Sequence, residues 1–210
     1  MTVSNCSITC GDDCIAVRAN NGPLKETKIT ERVCVTNCNL TSYANGIRIA
    51  WINDGTIRNC VFSNLVMTDT NVGICIQCPE RREGKLPDVG REATLVENLS
   101  FSNIVMDGTY GHPIFMEISE CPQTTVQAFR NIRFSGITAN GLEFPHIYGR
   151  AENKLKNITF TDCSFCKVSD DVLPNCDIHG FAKEQRRPGS QLFRHVENLV
   201  LNNTSFTEMD

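Results

Sequence analysis

One phrase returns throughout the chain, and internal repetition limits the available folds more than any averaged property. Seven segments share it: VSNCSIT (3–9), VTNCNLT (35–41), IRNCVFSN (57–64), VENLSFSN (96–103), FRNIRFSG (129–136), LKNITFTD (155–162) and VENLVLNN (196–203). Their leading asparagines are Asn5, Asn37, Asn59, Asn98, Asn131, Asn157 and Asn198, separated by 22 to 41 residues. So irregular a period excludes a tightly metered solenoid, but it suits stacked coils whose loops vary in length on one side.

Within each phrase apolar and polar residues alternate, as Ile132 and Phe134 do with Arg133 and Ser135, and β-branched and aromatic residues dominate. These are strands. A second short strand follows each of the earlier phrases: CIAV (14–17), GIRI (46–49), GICI (73–76), PIFMEI (113–118) and PHIY (145–148). Helical signals between them are almost absent, so parallel strands must be joined by loops winding in one direction. The predicted fold is all-β, a right-handed parallel β-helix (a solenoid) of about seven coils forming a single domain over residues 1–210. Equivalent residues of successive coils would stack about 4.8 Å apart. The asparagines would form a ladder at a turn, and Cys6, Cys38 and Cys60, each following its asparagine, one column. Asn-x-Ser/Thr triplets at Asn5, Asn39, Asn98, Asn157, Asn202 and Asn203 then follow from ladder geometry rather than from glycosylation.

A chain of 210 residues has room for one substantial core. Its 20 basic and 24 acidic residues leave a mild, evenly spread charge of −4, which excludes a nucleic-acid or anionic-membrane partner. No apolar run approaches a membrane span, and the first residues lack the pattern of a signal peptide. Twelve cysteines could be a secreted disulfide framework, but their place in the repeat suits stacked thiols acting as small apolar side chains. The CxxC pairs Cys75/Cys78 and Cys163/Cys166 keep zinc open as the sharper alternative. Residues 78–94 and 167–193 break the rhythm with charge and turn formers, and they read as loops walling a cleft.

The strongest local motif is Gly11-Asp12-Asp13-Cys14-Ile15-Ala16-Val17. Adjacent carboxylates opening an apolar strand repel each other and resist burial, so a solvated turn is the plain reading. The sharper one is a catalytic pair, because glycosidic cleavage needs one carboxyl to protonate the leaving oxygen and another to activate water or attack. Aligning the second strands puts Asn45, Val72 and His112 in the column of Asp13, then Arg48, Cys75 and Phe115 under Ala16, then Ala50, Gln77 and Glu117 under Arg18. Arg48 would project outward one coil from the aspartates, with Trp51 just past its strand. A guanidinium suits a carboxylate-bearing sugar and an indole suits a sugar face, although a plain surface arginine reads the same letters. His112 and His146 are weaker candidates, because a lone histidine is more often a hydrogen-bonded surface or turn residue.

VSNCSITCGDDCIAV, followed a coil later by VTNCNLTSYANGIRI, resembles family 28 of the glycoside hydrolases, the polygalacturonases and rhamnogalacturonan hydrolases. The resemblance covers the whole chain through its coil pattern, while family-grade motifs lie in residues 1–50. It implies a right-handed parallel β-helix hydrolysing pectic galacturonan, mostly with inversion. It implies Asp12 as general acid, Asp13 as one of two water-activating aspartates, and no metal or organic cofactor. The family's third aspartate belongs to a coil upstream of Met1, so the resemblance implies that the earliest coils lie outside this sequence. The family's Gly-His-Gly corresponds to Ala44-Asn45-Gly46, its Arg-Ile-Lys by coil count to Cys75-Ile76-Gln77, and a late tyrosine to His146. These departures put galacturonan itself in doubt and favour a related oligo- or polysaccharide. A decayed carbohydrate-binding or structural module stays open as a rival, as does a polysaccharide lyase or epimerase. Thiol content suits a reducing cytoplasm and family habit suits secretion. Uncapped coil ends would expose strand edges, so the chain alone is expected to be poorly active and to self-associate.

Overall fold

The computed structural model describes residues 1–20, 24, 27–51, 54–78, 93–119, 126–173 and 186–209. The protein is all-β and built of parallel sheets; no helix occurs among the described residues, and so none is long and apolar enough to cross a membrane. The larger sheet takes β1 (Thr2–Ser4), β5 (Cys34–Ser42), β7 (Thr56–Thr70), β9 (Thr94–Thr109), β11 (Val126–Gly141), β13 (Leu155–Thr161) and β16 (Val196–Asn202) in chain order. Beside this path, β2 (Ser7–Cys10) pairs with β5, β4 (Thr30–Glu31) with β7, and β14 (Ser164–Lys167) with β11 and with β17 (Ser205–Glu208). A second sheet runs β3 (Ile15–Val17), β6 (Asn45–Ile49), β8 (Val72–Cys78), β10 (Ile114–Ile118), β12 (His146–Tyr148) and β15 (Phe193–Arg194). The chain therefore alternates between two parallel sheets, each growing by one strand per pass.

The long strands bend where asparagine sits. Ten asparagines carry φ between 46° and 57°, the left-handed region that asparagine tolerates better than most L residues. At these bends side-chain amides donate along a ladder: Asn37 to Asn5 at 3.3 Å, Asn64 to Asn37 at 3.1 Å and Asn103 to Asn64 at 2.8 Å. A second ladder joins Asn98 to Asn59, Asn131 to Asn98, Asn157 to Asn131 and Asn198 to Asn157 at 2.8 to 3.1 Å.

The single column expected from the repeat is thus two. Cys34 pairs with Val61 and Cys38 with Leu65, so Asn37 lies over Asn64 and not over Asn59. The two ladders are five residues apart along β7, and the odd spacing of 22 in the sequence is a true period of 27 minus that offset. Both bends ask for the same thing, a left-handed residue followed by an inward apolar side chain, which is why their letters look alike. Cys6 and Cys38 share one column; Cys60 stands in the neighbouring one, one residue before Val61 as Val33 is before Cys34.

Inward residues fill the core. Phe62, Phe101, Phe134 and Phe160 stack with ring centroids 4.8 to 5.0 Å apart, the strand spacing itself, and all are fully buried. Gly46 and Gly73, which open β6 and β8 beside this core, are required by close approach: a Cβ on Gly46 would lie 2.9 Å from the Gly73 carbonyl oxygen, and one on Gly73 2.6 Å from that of Pro113. Of the two rhythm-breaking segments, residues 79–92 and 174–185 lie outside the described residues; at their borders Cys78, Thr94 and Lys167 belong to strands, as does Phe193.

Candidate functional site

Asp12 and Asp13 occupy the corner where the chain leaves β2 and enters β3. The corner is tied from several directions. The Asp13 amide donates to Asp12 Oδ1 at 2.8 Å, the Cys10 thiol to the Asp12 carbonyl at 2.8 Å, and the Ser42 hydroxyl to that same carbonyl. Cys10 and Cys14 bring their sulfurs to 3.5 Å around it, and burial pushes the Cys14 thiol up to about 12, so it stays protonated. Asp12 is exposed and Asp13 half-buried. Burial drives the Asp13 carboxyl above the ordinary aspartate value; the Asn45 amide and the Arg48 charge oppose this without cancelling it, and Asp12 adds to it.

Asn45 enters from the next pass, where β6 pairs with β3 through Ile15↔Ile47. Its Nδ2 donates to Asp13 Oδ1 at 2.5 Å. Its own Oδ1 is buried with no partner among the described residues, an acceptor that a donor arriving beside Asp13 would satisfy.

Strand pairing sets Arg48 opposite Ala16 on one side and Cys75 on the other, and Phe115 opposite Cys75 and His146. Arg48 stands on the outer side of the sheet but is covered there, only 3% exposed. Its Nε donates to the Ala50 carbonyl at 3.1 Å, Nη2 reaches the Gln77 carbonyl at 3.5 Å, and the guanidinium lies 4.2 Å from the centre of the Trp51 ring. A cation cut off from water must find carbonyls and a π face instead, and Arg48 has found both. One face of the indole read as a sugar platform is therefore occupied by the arginine. Gln77 is buried too, its amide 3.4 Å from Glu117 Oε1.

Further along this face, His112 and His146 are each 1% exposed, with ring centroids 5.4 Å apart. His112 Nδ1 meets the Phe144 carbonyl and Nε2 accepts the Arg187 amide at 3.1 Å, which fixes a neutral tautomer. Burial lowers its pKa to about 4, with the Phe144 bond opposing and the charges of His146, Arg187 and Arg186 assisting. His146 Nε2 lies 2.9 Å from Glu117 Oε2 and Nδ1 3.3 Å from Ser190 Oγ. The candidates fall into two groups: Asp12, Asp13 and Asn45 at the corner, with the buried Arg48 and the half-buried Trp51 beside them, and Gln77, His112 and His146 near Glu117. Sequence reasoning set Glu117 in its column without giving it a role, although an acid at an outward position of a short apolar strand was the available signal. Ser190 and Arg187 carried none.

Cys75 and Cys78 do not converge: Cys78 packs into the main core with Ile74 and Ile76, while Cys75 lies in the separate outer cluster with Val72 and Phe115. Among the described residues no group of three His, Cys, Asp or Glu side chains is arranged to hold a metal ion. No family model matches the chain, and no curated protein matches it.

Proposed function

We propose that the two alternating sheets are the walls of a right-handed parallel β-helix of about seven coils, and that the Asp12–Asp13 corner is the catalytic edge of an O-glycosyl hydrolase acting on oligo- or polysaccharide. The reading is polygalacturonase-like, with inversion, and rests on the resemblance of the GDDCIAV phrase and its following coil to family 28. One observation carries it: two adjacent carboxyl groups in unequal surroundings, Asp12 exposed and Asp13 raised by burial beside an amide oxygen that has no partner. Unequal surroundings set the two carboxyl groups apart. The resemblance gives Asp12 the protonation of the leaving oxygen and Asp13 the preparation of water. The orphan Asn45 oxygen is where a sugar hydroxyl or that water is received. No cofactor enters this chemistry.

The test is release of reducing ends from polygalacturonate, rhamnogalacturonan and neutral glycans. Asp12→Asn should lower turnover by about 10²- to 10⁴-fold with little change in melting temperature. Wild-type turnover in that variant removes the assignment. A rise in ultraviolet absorbance during digestion would mark an unsaturated uronate and favour a lyase.

A second reading, a carbohydrate-binding module without turnover, is favoured by the covered state of Arg48, Gln77, His112 and His146. Binding on a glycan array with no product from any bound glycan selects it.

A further inference from the structure

The outer face of the smaller sheet carries a second polar centre, separate from the acidic corner. His112, the fourth member of the Asp13 column, is three strand spacings from it, roughly 14 Å, too far for either aspartate to act on a bond held near His146.

The His146 ring is held between the Phe115 ring at 4.6 Å and the Tyr148 ring at 3.8 Å. Its Nε2 faces Glu117 Oε2 at 2.9 Å, while the other carboxylate oxygen is engaged by the Ser119 hydroxyl at 3.3 Å and the Gln77 amide at 3.4 Å. Burial alone would raise Glu117, but the hydrogen bond and charge of His146, helped by Arg187, outweigh it and hold the carboxyl below its ordinary value. An ionised Glu117 only accepts, so Nε2 carries the proton. In the neutral ring Nδ1 is then a bare lone pair, and the group it faces, 3.3 Å away, is the Ser190 hydroxyl.

Ser190 is brought there by a tight turn. Its amide donates to the Arg187 carbonyl at 3.2 Å, with Pro188 and Gly189 between; Gly189 at φ +66° supplies the left-handed residue such a turn needs. The turn is anchored to the sheet by the Arg187 amide on His112 and by Arg186 on Glu143 at 2.7 Å. Ser190 itself remains partly exposed. A serine at the surface, a base with its tautomer fixed behind it and a carboxylate fixing that tautomer constitute an activated nucleophile.

We propose that Ser190, His146 and Glu117 form a second catalytic centre that accepts carboxylic esters. The Ser190 oxygen adds to the ester carbonyl carbon while its proton passes to His146 Nδ1. The acyl carbon–oxygen bond then breaks, the leaving alcohol takes that proton, and an acyl-serine remains. Water repeats the sequence, its proton travelling through His146, and releases the carboxylic acid with Ser190 restored. Ser190 and His146 are the catalytic residues, and Glu117 positions the imidazole.

The full chain is treated with a fluorophosphonate and the modified peptide is located by mass spectrometry. Wild type should carry one label, on Ser190, and Ser190→Ala none. His146→Ala should label about 10²-fold or more slowly. Glu117→Gln should slow labelling and displace its pH profile, which a contact that merely ties down a turn would not do. Melting temperature and circular dichroism report the fold of each variant, and if His146→Ala does not fold, Glu117→Gln decides. Ser190 unlabelled in folded wild type, or labelled at the wild-type rate in folded His146→Ala or Glu117→Gln, overturns the proposal. The reaction is read on esters and on Ser190 alone, so it stands or falls independently of sugar hydrolysis at Asp12 and Asp13.

Discussion

Asp13 exchanges part of its hydration for one amide and a distant guanidinium, and the exchange is unfavourable to its charge. Its pKa is higher in the folded than in the unfolded chain, so the folded state binds the proton more tightly. That contribution to stability is fully present below the unfolded value and is lost as pH rises through the folded one. Asp13→Asn removes the buried charge while keeping a side-chain oxygen for the Asn45 amide. The variant should melt higher than wild type at neutral pH, and the gap should close on acidification towards the ordinary aspartate value of 3.8, as thermal melts across the acidic range would show. A variant that melts lower at neutral pH would mean that burial does not dominate at Asp13. The same substitution should abolish sugar hydrolysis, as expected where function and stability oppose each other.

Within the larger sheet, two kinds of column fix the pairing. Asn98 is at φ 56° and both gives and receives an amide hydrogen bond, to Asn59 and from Asn131. Asn98→Ala loses both bonds and must still adopt the left-handed conformation, at a cost of about 1–3 kcal/mol. Asn98→Gly loses the bonds alone, so urea denaturation should rank wild type above Gly and Gly above Ala. Equal losses would show that backbone conformation is not what asparagine supplies. Inside, Phe101 lies between Phe62 and Phe134, and Phe101→Ala should cost about 3–5 kcal/mol by the same measurement. Outside, pairing aligns Glu31, Arg58, Glu97 and Arg130 in alternating sign, with ion pairs of 2.9 Å between Arg58 and Glu31 and 2.7 Å between Arg130 and Glu97. A slipped register would separate these opposite charges, so the column adds specificity beyond its modest energy.

At the scale of the molecule, β1 and β16 stand at the two ends of the larger sheet's strand order. The phenylalanine column continues from Phe160 to Leu201, which is 46% exposed, with Val200 beside it at 49%. An open parallel edge with apolar side chains behind it invites another strand. The chain should associate with rising concentration in light scattering, and Leu201→Lys should weaken that association by placing a charge at the uncovered core end. A monodisperse monomer over the whole concentration range would contradict both expectations.

The letters alone determined the strands of the seven phrases, the short strands that follow them, and the pairing of the first four strands of the shorter sheet, including Asp13 with Asn45 and Ala16 with Arg48. Each of these follows from local alternation and from a repeat that must stack its like residues. The sequence could not distinguish two bends of identical demand five residues apart, and so merged two asparagine ladders into one. Only the tertiary structure decided what covers the outer face. Whether Arg48 meets solvent or Trp51, whether the histidines are free or engaged, and whether a serine from residue 190 reaches His146 are contacts between segments distant in sequence. Burial by such segments leaves no periodic trace in the chain, yet it sets the charge and reach of every group in the candidate site.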